Sequence, residues 1–195
     1  VDRRLLSWAN ATVARFHPKV PPLWLFTDLH RLPDPRRAAS RLPRGLAGIV
    51  LRHDNAADRT ALGRDLARIC RARRLALVVA GDPSLAAALH AGTHLRAGRQ
   101  PGPIRSHRGF VTSSAHNAVE LRRAVRAGAA LIFLSPTFLT LSHPGAEALG
   151  TLRWTRLARL GYPRVAALGG IDGTTIGRLP RHFCRAIGAV GALAS

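Results

Sequence analysis

Methionine is missing from all 195 residues, lysine occurs once, at Lys19, and acidic side chains number only ten. Residue 1 is Val, which leaves the natural start either missing or read from an alternative codon. The two cysteines, Cys70 in a helical pattern and Cys184 beside an expected strand, fall in no metal-ligand spacing. That argues against a disulfide scaffold or a zinc site and for two reduced, buried thiols. No apolar run approaches the roughly 20 residues of a membrane-spanning helix. No charged-then-apolar leader opens the chain, so a cytoplasmic protein with no membrane partner is expected.

What is abundant is arginine. Thirty basic residues face ten acidic ones, a formal net charge of +20 at pH 7. Such an excess raises the potential at any phosphate site and favours weak contact with polyanions. The arginines are nevertheless scattered, with Arg36–Arg37, Arg71–Arg74 and Arg122–Arg126 on separate expected helices. No aromatic-interleaved stripe or nucleic-acid-binding motif accompanies them, so a solvated arginine-rich surface is expected rather than a nucleic-acid interface. Hydrophobic residues make up 47% of the chain, enough at this length for one globular domain over residues 1–195.

Periodicity divides the chain into alternating strands and crossovers. Apolar residues at helical spacing over 5–16 give an N-terminal helix, closed by Pro18, Pro21 and Pro22. Short apolar runs at 23–26, 46–51, 75–79, 93–95, 109–112, 130–134, 165–168 and 186–190 read as strands. Between them helices are expected at 35–42, 60–73, 83–90, 117–126, 151–160 and 174–179, with none in the Gly-, Pro- and Arg-rich stretch 96–107. Asp82 and Pro83 form an N-cap and a first-turn proline. Eight strand-plus-crossover units describe a single (β/α)8 TIM barrel with an extra N-terminal helix and a truncated last helix, since only Gly191–Ser195 follows the eighth strand.

Active sites of such barrels lie at the C-terminal strand ends. The residues there are Asp28, Arg52, Ala80–Gly81, His94, Ser113–His116, Ser135–His143, Gly169–Gly170 and Val190–Gly191. Gly169 and Gly170 end an apolar run and leave bare backbone N–H groups. A helix expected to open near Asp172 adds its dipole, and together they make an anion site. Asp172 is expected to turn outward and cap from the solvent side. The backbone after strands seven and eight is the usual phosphate cradle of these barrels. Thr140 and Ser142 are placed to donate hydroxyls to a phosphate, His143 lies beside them, and Arg52 offers a planar fork to a second phosphate or carboxylate. A phosphorylated small-molecule substrate follows from this pattern.

The blocks LWLFTD (23–28), IVLRHD (49–54), THL (93–95), SSAH with Glu120 (113–120), SPTFLTLSHPGAEALG (135–150) and VAALGGI (165–171) occur in one order from about residue 23 to 193. In that order they resemble the thiamine phosphate synthase family, which includes a closely related TenI-type thiazole tautomerase branch. The resemblance implies a (β/α)8 barrel. It also implies a transferase of thiamine biosynthesis that joins an aminopyrimidine diphosphate to a thiazole phosphate, releasing pyrophosphate with the help of Mg2+.

Carried over residue by residue, the resemblance places Arg52 on the pyrimidine diphosphate and Ser114 near that pyrophosphate. It sets Thr140 and Ser142 on the thiazole phosphate together with Gly169, Gly170 and the Val190–Gly191 backbone. His116 matches a family histidine. Other positions depart. The Asn-Asp pair after strand three, whose carboxylate binds Mg2+, reads Ala80-Gly81 here, and the second Mg2+-binding aspartate aligns near Arg99. Family lysines are replaced by Asp54 and His143. The expected Mg2+ therefore lacks its ligands, and Arg96 and Arg99 are the available substitutes. The tautomerase branch dispenses with the metal and has glycine where this chain has Gly81, yet its proton-transferring histidine aligns with Pro136. Three readings stay open: the synthase, a tautomerase-like enzyme with His94, His116 or His143 as a displaced base, and a non-catalytic binder of a phosphorylated thiamine precursor. Monomer and homodimer also stay open.

Overall fold

The computed structural model describes residues 1–17, 19–54, 56–100, 109–140, 145 and 147–194. Its centre is a closed barrel of eight parallel strands in sequence order, β1 (Leu23–Phe26), β2 (Ala47–Leu51), β3 (Ala76–Ala80), β4 (Gly92–Leu95), β5 (Val111–Ala115), β6 (Leu131–Leu134), β7 (Val165–Leu168) and β8 (Ala186–Ala189). β1 closes on β8 with Leu23 opposite Ile187 and Leu25 opposite Ala189. Around it lie α1 (Arg3–Phe16), α2 (Arg36–Arg41), α3 (Arg59–Arg73), α4 (Pro83–Ala88), α5 (Ala118–Arg126) and α6 (Gly150–Gly161). Strands buried on both faces need unbroken apolar sequence, which is why these short runs were readable.

Alternate residues of each strand point inward. The inner cluster contains Trp24, Phe26, Val50, Val78, Ala80, Leu131, Phe133, Ala166 and Ala186. Phe133 stands edge-on to Phe26 at 4.7 Å and to Trp24 at 5.8 Å. These rings fit because their neighbours carry no side chain. A Cβ on Gly48 would lie 2.6 Å from the Trp24 ring, and one on Gly188 would lie 2.7 Å from the Phe26 ring. Both thiols, Cys70 and Cys184, are free and buried, as expected.

Two expected elements differ. β5 starts at Val111, two residues later than expected, and runs through Ser113 and Ser114 to Ala115. Serine reads as loop, but the Ser113 hydroxyl accepts from Gly98 N at 3.0 Å and donates to Leu95 O at 3.3 Å, so the strand carries it without an orphaned group. The helix expected at 174–179 is a single 3₁₀ turn, Ile176–Arg178. Asp172 Oδ1 accepts from Thr174 N at 2.8 Å and Thr175 N at 3.0 Å, while Gly173, Gly177 and three β-branched residues weaken any longer helix. No α-helix dipole therefore points at Gly169–Gly170, correcting that part of the anion-site argument.

α1 covers the flank that this short connection leaves open. Arg4 Nη1 donates to Gly173 O at 3.3 Å, Arg15 Nη2 meets His182 Nδ1 at 2.8 Å, and the Arg185 guanidinium lies 3.7 Å from the Phe16 ring centroid. After β8 the chain makes only the 3₁₀ turn Gly191–Leu193, the truncated last element. The stretch expected to lack a helix, 96–107, is described only as far as Gln100, with Arg96 and Arg99 forming an isolated bridge.

Gly48→Ala and Gly188→Ala should each destabilise the fold by about 1–3 kcal/mol through overpacking, measured by urea unfolding. Adding Trp24→Leu should make Gly48→Ala less costly than it is alone, since the two sites share one volume. Strict additivity would show that the glycine is required for something other than the ring.

Candidate functional site

The C-terminal ends of β7 and β8 enclose a cavity of about 230 Å³ lined by Arg31, Thr140, Gly169, Gly170, Val190 and Gly191 among others. Gly169 and Gly170 have φ of 91° and 66°, which favour glycine. A Cβ on Gly170 would meet Leu139 O and would stand 2.7 Å from Phe138 Cβ. The carbonyls of the pair are engaged: Gly169 O accepts from Phe138 N at 3.0 Å and Gly170 O from Thr175 Oγ1 at 2.8 Å. Outside the β7–β8 ladder, neither glycine N–H donates a hydrogen bond among the described residues, nor does that of Val190 or Gly191. Asp172 uses Oδ1 to cap the following turn, as expected, but it also lines this cavity rather than turning away from it. The hydrogen bond from Thr174 Oγ1, joined by the Thr174 and Thr175 amides, holds its carboxyl below the usual range.

A second cavity, of about 310 Å³, lies over the barrel interior and is lined by Phe26, Arg52, His94, Ser114, His116 and Ser135, with Asp54 and Arg96. It meets the first at Leu168. A third, of about 480 Å³, shares Asp54, Ala80, His94 and Arg96 with the second and adds Arg59, Gly81 and Arg99. In a closed eight-stranded ring β3 is opposite β7 and β4 opposite β8. The mouth is thus one trough, with backbone amides and the Arg31 side chain at the β7–β8 side and a cluster of guanidinium groups at the β2–β4 side.

The guanidinium side has a definite wiring. Arg59, its side chain only 15% exposed, donates Nη2 to Ala80 O at 2.6 Å. It pairs with Asp54 Oδ1 at 3.3 Å and Asp82 Oδ2 at 3.5 Å. Arg96 pairs with the other oxygen of Asp54. Asp82 Oδ1 accepts from Leu85 N at 2.9 Å, the N-cap role read from the sequence. Arg52 is anchored by its backbone N to Thr27 Oγ1 at 2.8 Å, and its guanidinium makes no ion pair among the described residues.

Two histidines differ sharply. His116 Nδ1 and backbone N both bond to Glu120 Oε2, at 2.9 and 2.8 Å, and its side chain is 55% exposed. Burial raises the Glu120 carboxyl, but the His116 bonds outweigh it and leave the group below its ordinary range. His94 stands in β4 rather than after it, with Nδ1 at 2.8 Å from Thr112 Oγ1. Burial first, then the charges of Arg52 and Arg96, push its imidazole down to about 3.

The structure brings Arg52, Ser114 and His116 together in the second cavity, and Thr140, Gly169, Gly170, Val190 and Gly191 in the first. Ser114 Oγ is already engaged, accepting from Ala97 N at 3.2 Å. Ser142 and His143 lie outside the described residues. Sequence reasoning missed Arg31 and Arg59. Arg31 is positioned by Asp28 Oδ1, which accepts from His30 N and Arg31 N at 3.1 and 2.9 Å; an aspartate at a strand end followed by a short turn was the available signal. Arg59 carried no comparable signal, being one arginine among many at a helix start.

Mg2+ requires oxygen ligands, commonly carboxylates. Gly81 offers none, and a Cβ there would lie 3.4 Å from Arg96 Nη2. Both oxygens of Asp54 are taken by guanidinium groups. No group of three His, Cys, Asp or Glu residues suited to a metal occurs among the described residues. The residues present do not fit the cation implied by the resemblance.

A family model described as thiamine monophosphate synthase matches residues 25–193. A thiamine-phosphate synthase of Geobacillus kaustophilus (strain HTA426) is 34% identical over 148 residues, covering 71% of this chain and 66% of that protein. One of Geobacillus thermodenitrificans (strain NG80-2) is 31% identical over 147 residues, covering 71% and 65%. The chain therefore spans slightly under two thirds of these curated relatives. A solved thiamine phosphate pyrophosphorylase from Pyrococcus furiosus shares the fold with a TM-score of 0.72 at 20% identity, covering 89% of this chain and 87% of that one.

The unfolded chain protonates His94 near its ordinary value of 6.5, whereas the folded chain resists down to about pH 3. Over that window the unfolded state holds the extra proton, so stability falls as pH falls. His94→Gln should make the fall shallower by up to about 1.4 kcal/mol per pH unit, measured by urea unfolding between about pH 6 and pH 4. An unchanged slope would mean that the imidazole titrates as it does in water.

Proposed function

Because the chain belongs to the thiamine monophosphate synthase family, we propose that it joins an aminopyrimidine diphosphate to a thiazole phosphate. The observation that supports this reading is the trough itself. One side offers backbone donors without partners, the other offers guanidinium groups, and the space over the barrel interior connects them. Two anionic substrates meeting end to end need that layout.

In this reading the thiazole phosphate is held by the N–H groups of Gly169, Gly170, Val190 and Gly191, with Thr140 and Ser142 closing over it. Each charge-assisted hydrogen bond contributes about 1.5–3 kcal/mol before the cost of ordering the loop. The diphosphate lies toward Arg52, with Ser114 near it. The carbon–oxygen bond to the diphosphate breaks with its electron pair leaving on oxygen, and the thiazole nitrogen supplies the pair for the new bond. No external proton donor is required. The protein's task is to hold both partners in line and to stabilise charge on the departing oxygen. A second reading, isomerisation of a thiazole carboxylate phosphate, draws on His116, since Glu120 fixes Nδ1 and leaves Nε2 for proton exchange.

Incubating the protein with both substrates should yield thiamine phosphate and pyrophosphate. Thiazole phosphate should bind roughly tenfold or more tightly than its unphosphorylated alcohol. Gly191→Asp should erase that preference. It is a cleaner probe than Gly170→Asp, because a Cβ at 191 meets only Arg31 Nη2, at 3.5 Å, whereas one at 170 strikes the β6–α6 loop. Thr140→Ala should only weaken phosphate binding. Equal binding of alcohol and phosphate would make the glycine turn purely structural. Phosphate-dependent binding without turnover would overturn the reaction and leave a binding protein.

A further inference from the structure

The β2–β4 side of the mouth holds more guanidinium groups than the fold needs. Arg59 is the structural one: partly buried, bonded to the Ala80 carbonyl and paired with two carboxylates. Arg96 is different. Its side chain is 57% exposed and its ion pair with Asp54 stands in solvent, where such pairs add little stability. Arg52 and Arg99 line the same connected space and make no ion pair among the described residues. These three can therefore turn to a ligand at small cost, and guanidinium forks match phosphate oxygens.

The same corner is closed to a cation. Asp54 offers Oδ1 to Arg59 and Oδ2 to Arg96, while Asp82 offers Oδ1 to Leu85 N and Oδ2 to Arg59. A divalent ion using these carboxylates would have to compete with Arg59 and Arg96 for their oxygens. Gly81 itself, at a φ of 68° that favours glycine, brings no carboxylate to this corner.

We infer that this chain binds the diphosphate end of its substrate with Arg52, Arg96 and Arg99 in place of a divalent cation, so that diphosphate recognition does not depend on Mg2+. The inference rests on the proposed substrate and specifies how its leaving group is held. In the transfer step the oxygen pair freed by carbon–oxygen cleavage is stabilised by these guanidinium groups, with no further co-reactant. Asp54 opposes the ligand: once Arg96 swings away, its charge is balanced by Arg59 alone.

Inorganic pyrophosphate titrated calorimetrically into the full chain tests this. It should bind in EDTA and no more tightly when Mg2+ is added. Arg96→Ala should weaken it roughly tenfold or more, and Arg96→Lys, which keeps the charge but loses the fork, should fall between. Asp54→Asn should tighten binding, a gain that a folding defect cannot imitate. Binding that requires Mg2+, or that weakens in Asp54→Asn, would make Asp54 a metal ligand and overturn the inference; so would failure to bind in either condition. Titrating thiazole phosphate into the same preparation separates the two levels. Its retention with no pyrophosphate binding sinks only the guanidinium site, whereas loss of both sinks the proposed reaction.

Discussion

The inside of an eight-stranded barrel has room for few large side chains, and here that room goes to Trp24, Phe26 and Phe133, opposite glycines at 48 and 188. This packing sets the relative height of β1, β2, β6 and β8, and with it the level at which each strand ends. Arg52 follows β2, Gly169–Gly170 follow β7 and Val190–Gly191 follow β8, so their positions around the mouth derive from how the rings fit below them. His94 belongs to both levels. It packs edge-on to Phe26 at 5.6 Å while lining two cavities above. A protonated ring there would sit in an apolar stack beside two arginines, and the fold therefore keeps it neutral.

The formal charge of +20 is an excess with no counterpart in the core. Most arginines stand on helix faces, where exposed pairs such as Arg68–Asp65 and Arg153–Glu147 add little to stability. Where arginines do hold structure they act through carbonyls and rings: Arg73 on Leu42 O, Arg59 on Ala80 O, Arg185 against Phe16 and Tyr162. The charge at the mouth is a separate matter. With Asp54 and Asp82 bonded to Arg59, this side presents net positive charge through side chains on exposed stems.

Much of this was legible in the residues. Parallel strands covered on both faces must be apolar throughout, so 23–26, 165–168 and 186–190 stood out, the last one residue longer than β8 proves, and the paired glycines marked the β7 end. What escaped notice had physical reasons. Ser113 and Ser114 look like loop residues until the turn at Gly98 supplies their hydrogen bonds, a partner that is distant in sequence. The turn after Gly170 has helical spacing, but Asp172 captures the amides that a helix would need. Arg59 could not be told from the many other arginines, because what distinguishes it is the carboxylates and the carbonyl it reaches in the fold. Arg96, read as a substitute for the missing cation, gave no sign that it shares Asp54 with Arg59. That Asp54 stood where the resemblance placed a lysine was visible; that both its oxygens were taken was not.

The two sides of the mouth also differ in kind. On the β7–β8 side, Arg31 apart, the donors are backbone N–H groups held by strand ends and by two glycines at positive φ, so their geometry exists before any ligand arrives. Preformed donors cost nothing to order and bind whichever group carries a compact phosphate. On the β2–β4 side the donors are long side chains that must leave solvent or, for Arg96, leave Asp54. Ordering them costs rotamer entropy, which a diphosphate with many acceptor oxygens offsets better than a single phosphate does. A rigid pocket suited to one phosphate therefore faces an adaptable one suited to two. Under the proposed reaction, that asymmetry is what would set a phosphate at one side of the trough and a diphosphate at the other.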